Sequence, residues 1–208
     1  MQQNRIKMSI IEKIKKHRIV GVFREDPNTI QPTLTASFQG GLRVMELTYS
    51  IPDVCKYIKQ AKAEFKDAVI GAGTVLNHKD ALSAIDAGAD FIVSPIFLPE
   101  VNVVCIKNNI DYIPGTMTLQ EMFNAYSAGC SHLKLFPANN FSPSYLKTCL
   151  SLFPHYAIMP TGGVNALNAK DWLKAGAFAV GIGSEINKLA LQKDFEGITR
   201  MFETLSKE

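Results

Sequence analysis

The sequence predicts a single (β/α)8 barrel of the TIM type over residues 1–208, with an extra N-terminal helix. Three observations predict it. Eight short runs rich in Val, Ile and aromatic residues alternate with helix-length amphipathic segments along the whole chain. A weak repeat, seen in "QGGLRVMEL", "DAGADFIVS", "SAGCSHLKLF" and "KAGAFAVGI", sets a glycine just before every second strand. No linker or low-complexity segment divides the chain. The same alternation also permits a doubly wound open sheet; the fourfold recurrence over eight units favours closure.

The elements follow in order. Residues 8–17 read as a short helix whose Ile10, Ile11 and Ile14 face a core, with the basic residues of "EKIKKHR" forming a solvated face. The eight strand runs are "RIVGVFR" (18–24), "LRVMELTY" (42–49), "DAVIGAGTV" (67–75), "DFIVSP" (90–95), "DYIPGT" (111–116), "HLKLFP" (132–137), "YAIMPTGG" (156–163) and "AFAVGIGS" (177–184). Helices fill the intervals. Ser50 or Asp53 is placed to cap the one beginning "DVCKYIKQ", and Asn77 the one beginning "HKDALSAI". The repeat glycines suit the position just past a helix end, where φ is positive.

Composition narrows the function. A hydrophobic fraction of 47% and a charged fraction of 20% suit a globular enzyme. A net charge of +3 admits anionic substrates but not the clustered basic stripe of a nucleic-acid binder. Cys55, Cys105, Cys130 and Cys149 form no C-x-x-C pair and sit in apolar stretches, so reduced, buried thiols in a cytoplasmic protein are expected. No apolar run reaches membrane-spanning length, and the opening stretch is too charged for a signal peptide. The four histidines show no metal-ligand spacing, so no metal site is expected.

The chemistry turns on Lys134 in "HLKLFPAN". In a strand, alternate residues share a face. Lys134 therefore shares its face with His132 and Phe136, while Leu133 and Leu135 turn to the helices. On the second strand, Met45, Leu47 and Tyr49 suit the helix side, leaving Val44, Glu46 and Thr48 pointing inward. A lysine and a carboxylate inside a barrel are costly as a purely structural pair. At the strand ends, Arg24 suits a carboxylate or phosphate. Gly71 and Gly73 permit close approach, and Thr74 offers a hydroxyl. Gly162, Gly163, Gly183 and Ser184, after the last two strands, are candidates for a phosphate. A lysine in a dry site has a lowered pKa, and its neutral amine attacks ketones to form a Schiff base. With Glu46 moving protons, these parts perform class I aldol cleavage or condensation, for which neither metal nor organic cofactor is needed.

"HLKLFPA", "VMELT", "GAGTVL", "PTGGV" and "GIGS", in this order, resemble the 2-keto-3-deoxy-6-phosphogluconate (KDPG) / 4-hydroxy-2-oxoglutarate aldolase family, over residues 18–186. The resemblance implies that Lys134 forms the Schiff base and that Glu46 is the acid/base residue. It implies that Thr74 contacts the keto acid, with Gly162, Gly163 and Ser184 at the phosphate, and that the protein is a homotrimer. Phe136 and Thr161, within these motifs, and Pro95, at the end of the fourth strand run, join Arg24, Thr74 and Gly183 as substrate-binding candidates. The sequence also departs from the pattern. Ser50 stands where many members carry an arginine, and Arg24 fits a second arrangement with the arginine on strand one. Ile96 and Asn139 replace a glycine and an acidic residue often seen there. Two rival readings share the barrel: a sugar-phosphate isomerase or epimerase with Glu46 as base, and a non-catalytic phosphate binder.

Overall fold

Eight parallel strands form one ring around a packed centre in a computed structural model that describes residues 8–206. Residues 1–7, the start of the charged opening stretch, and 207–208 lie outside the described residues. The strands are β1 Ile19–Phe23, β2 Val44–Thr48, β3 Val69–Gly73, β4 Phe91–Ser94, β5 Asp111–Thr116, β6 His132–Leu135, β7 Ala157–Pro160 and β8 Val180–Ile182. They pair in the order β7-β6-β5-β4-β3-β2-β1-β8, and a parallel bridge between Thr161 and Gly181 joins the two ends. The chain is thus a (β/α)8 barrel, and the open-sheet alternative is excluded. Helices α1 Ile10–His17, α2 Ile30–Gln39, α3 Val54–Glu64, α4 His78–Asp86, α5 Pro99–Asn108, α6 Leu119–Ser127, α7 Pro143–Leu152, α8 Ala169–Lys174, α9 Ser184–Leu191 and α10 Phe195–Ser206 surround it.

Strand parity divides the apolar side chains into two cores. Met45, Leu47, Ile70, Ile92, Leu133, Leu135 and Ile158 pack outward against the helices. Val20, Val44, Val69, Phe91, Val93, Ile113 and Met159 fill the barrel interior. Ile14 of α1 is fully buried against this inner cluster, with Ile10 and Ile11 beside it, so the extra helix packs against the inner core. Ser9 and Glu12 form a capping box that starts α1.

The repeat glycines behave as the pattern requires: Gly41, Gly88, Gly129 and Gly176 all have positive φ, between 92 and 106°. Asn77 caps α4 by accepting from the Asp80 N–H at 2.9 Å. The cap expected for α3 is different. Asp53 occupies the N-cap position with φ 54° and makes no side-chain cap bond, and the Ser50 hydroxyl pairs with that of Thr48 at 2.6 Å. Cys105, Cys130 and Cys149 are buried free thiols, but Cys55 is only half-buried because its helix, α3, turns it toward the Tyr49 hydroxyl at 3.4 Å.

Candidate active site

Lys134 enters the barrel from β6, in register with Gly115 of β5 and with Met159 of β7, a member of the inner apolar core. It is 3% exposed. Glu46 enters from β2 and is fully buried. Its Oε1 accepts from Lys134 Nζ at 3.5 Å, while its Oε2 has no hydrogen-bond partner. One carboxylate oxygen thus holds the amine and the other is left for a reacting group. Burial lowers the pKa of Lys134; the Glu46 charge opposes that shift, and the positive charge of Arg24 adds to it. The Phe136 ring lies 5.0 Å from Lys134 Nζ.

Glycines make room for this layer. A Cβ on Gly73 would collide with Oε1 of Glu46, and one on Gly71 with the Phe91 ring. These two glycines, expected to admit a ligand, instead admit neighbouring side chains of the barrel. Gly181 does the same for Thr161, whose buried hydroxyl has no partner. Gly162 and Gly163 follow with φ 90 and 76°, and a Cβ on Gly162 would lie 3.4 Å from the Phe136 ring. Thr74 has φ 57°, a conformation a β-branched residue adopts only under strain; such strain concentrates at working sites.

Lys134, Glu46 and Phe136 are in direct contact, Gly162 borders them, and Arg24 acts on Lys134 through its charge. Thr161 shares the inward parity of Lys134. Gly183 and Ser184 lie directly after β8, at the start of α9, where Gly183 approaches Val22. Pro95 and Phe136 border a cavity of about 560 Å³ together with Ile96, Thr116 and Met117, over the ends of β4 to β6.

One buried ionisable group escaped the sequence reading. Glu25, directly after Arg24, is 3% exposed, and neither carboxylate oxygen has a hydrogen-bond partner. Burial pushes its pKa up to about 7. The nearby Arg24 and Glu25 backbone N–H groups and the Arg24 charge offset this only in part. A raised carboxyl pKa means the folded protein keeps a proton that the unfolded chain loses. Stability from this group is therefore full below about pH 4.5 and falls as pH rises to about 7. The loss is about 3 kcal/mol. Glu25→Gln should remove it, so that urea unfolding of the variant and the parent diverges between pH 5 and 8. Parallel pH profiles would contradict the burial of the carboxyl.

A buried lysine of lowered pKa, ion-paired to a carboxylate inside a parallel barrel, is the equipment of a class I aldolase, a lyase that works through an imine. The comparisons agree. The profile of the KDPG and KHG aldolases matches residues 10–201, and the chain belongs to that family. It is 32% identical over 169 residues to the 2-dehydro-3-deoxy-phosphogluconate aldolase of Treponema pallidum, covering 80% of each chain. It is 31% identical over 153 residues to the 2-dehydro-3-deoxy-6-phosphogalactonate aldolase of Escherichia coli, covering 73% of this chain and 75% of that one. The structure of a KDPG aldolase from Legionella pneumophila, with pyruvate captured as a covalent carbinolamine, superposes with a TM-score of 0.82 at 29% identity. It covers 90% of this chain and 93% of that one. Among the described residues, no helix is long and apolar enough to cross a membrane.

Proposed function

We propose that this chain cleaves KDPG to pyruvate and glyceraldehyde 3-phosphate, and 4-hydroxy-2-oxoglutarate to pyruvate and glyoxylate, as a single-domain cytoplasmic enzyme assembled as a homotrimer. The observation that carries the reading is the buried Lys134–Glu46 pair at 3.5 Å. The neutral Lys134 amine attacks the C2 ketone, and loss of water from the carbinolamine gives an iminium. A base removes the C4 hydroxyl proton. The C3–C4 bonding pair then passes into the iminium, forming an enamine and releasing the aldehyde. Protonation of the enamine at C3 and hydrolysis return pyruvate and the free amine. Glu46, with Oε2 unpartnered, is suited to move these protons directly or through water. Thr74, Pro95, Phe136 and Thr161 bound the keto acid, and Gly162, Gly163, Gly183 and Ser184 receive the phosphate.

Borohydride reduction in the presence of pyruvate, followed by peptide mass mapping, tests this. Inactivation with the adduct on Lys134 is expected. Labelling confined to surface lysines, with activity retained, would sink the imine reading and favour an isomerase or a non-catalytic barrel.

Arg24 is assigned to the substrate carboxylate, because Ser50 has no charge to offer and Arg24 already acts on Lys134. Loss of a charge-assisted hydrogen bond costs about 1.5–3 kcal/mol. Arg24→Ala should therefore raise the pyruvate concentration needed for half-maximal capture by roughly 10–100-fold. Unaltered capture would assign Arg24 to another part of the substrate or to structure.

A further inference from the structure

The basic stretch ahead of β1 does more than face solvent. Lys16, His17 and Arg18 form one side of a cavity of about 300 Å³, and α8 closes the other with Lys170 and Lys174. Its floor is apolar: Ile19 and Leu205 are nearly buried, and Leu173 is half-buried. No carboxylate lines it among the described residues. Lys170 already has an interaction of its own and is not counted as a ligand. The His17 ring already feels neighbouring positive charge. The pKa of His17 lies below its ordinary value, first from burial and then from the charges of Lys16, Arg43 and Lys13.

This cavity lies at the end of the barrel away from the strand ends that carry Arg24, Thr74 and Thr161. Arg18 immediately precedes β1, and Lys174 ends the helix that leads into β8. A merely solvated basic face needs no concavity and no apolar floor. Here charge and floor occur together, and each selects one part of a ligand. A volume near 300 Å³ is at the lower end for ligand sites, which run from about 300 to 1,000 Å³. It holds one ring-sized body and one anionic group, and is too small for a dinucleotide or a nucleic-acid strand. An arginine fork takes carboxylate or phosphate, and a phosphate, with three oxygens and up to two charges, can engage an arginine and two ammonium groups at once.

We propose that this cavity is a binding site for a small organic phosphate, its phosphate held by Lys16, Arg18 and Lys174 and its apolar body resting on Ile19, Leu173 and Leu205.

The test is calorimetric titration of the full chain with 1-naphthyl phosphate and, separately, with inorganic phosphate. The aryl phosphate should bind about tenfold tighter, from burial of its ring on the floor. The double variant Lys16→Glu/Lys174→Glu should lose about 100-fold or more in affinity for both probes, since each charge-assisted contact is worth about tenfold. Leu173→Ser should narrow the gap between the two probes while phosphate binding persists. In the complex, the His17 ring protons should titrate at higher pH than in the free protein, because a bound anion favours the imidazolium. Unchanged affinity in the double variant would overturn the proposal by assigning the phosphate to another surface. Equal affinity for the two probes would overturn it by reducing the cavity to a charged patch. If the double variant does not fold, Lys16→Gln and Lys174→Gln, both at exposed positions, decide between the same outcomes with about tenfold losses each. Failure of pyruvate to label Lys134 would bear on the aldolase reading alone and leave these titrations intact.

Discussion

Lys134→Arg should abolish both aldol cleavage and borohydride-dependent capture of pyruvate, with a loss in kcat on the order of 10⁴–10⁶-fold, the scale seen when other covalent nucleophiles are removed. The variant keeps a cation opposite Glu46, so the buried carboxylate retains a partner and the barrel retains its fold. What it loses is the ability to become a neutral amine, since a guanidinium stays protonated at any working pH. The parent lysine has that ability because burial lowers its pKa, even though Glu46 pulls the other way. Its capture rate should accordingly rise with pH and level off below the ordinary lysine range. Lys134→Met offers a contrasting control. It leaves Glu46 buried without its counter-ion and should be destabilised by about 3–5 kcal/mol, the usual cost of removing one partner of a buried pair. Inactivity in both variants, with a native circular dichroism spectrum in Lys134→Arg, separates chemistry from folding. Residual cleavage by Lys134→Arg within tenfold of the parent would assign the imine to another lysine or remove it from the mechanism.

The centre of this site was legible in the sequence because strand periodicity is strict. A residue two positions from an inward residue is itself inward, so Lys134 and Glu46 could be set facing each other from the apolar character of Leu133, Leu135, Met45 and Leu47 alone. The helix-ending glycines were legible for a similar reason: few other residues tolerate φ near 100°. The rest depends on contacts between distant segments, which periodicity does not encode. Gly73 looks like space for a ligand until Glu46, 27 positions earlier, is seen to fill that space. Glu25 reads as one of three charged residues in "FRED" until the turn after β1 buries it and leaves Arg24 and Asp26 exposed. After β8 the chain breaks at Lys193, with φ 56°, and Asp194 starts a second helix by accepting from the Gly197 N–H at 2.8 Å, an arrangement that periodicity does not announce. The basic stretch before β1 was legible as a solvated face, with Lys15, Lys16 and Arg18 exposed, but that a concavity separates it from α8, some 150 positions further along the chain, was not.

Glu46→Gln should separate proton transfer from imine formation. The amide occupies nearly the same volume, and its oxygen can still accept from Lys134 Nζ, so the layer between β2 and β6 stays filled. Pyruvate should still be captured, although more slowly. An amide, however, cannot take up and return a proton. The exchange of pyruvate methyl protons with solvent requires removal of a C3 proton from the iminium and its return to the enamine. In the parent protein the unpartnered Oε2 is the oxygen suited to that exchange. General acid–base groups contribute about 10²–10⁴-fold, so deuterium incorporation followed by NMR should slow by that factor while capture falls much less. The ratio of the two rates is the informative quantity, because a mere disturbance of the pocket would lower both together. Exchange within a few-fold of the parent would transfer the proton step to another group. The buried Thr161 hydroxyl, also without a partner, or a water held near it, would be the next candidate.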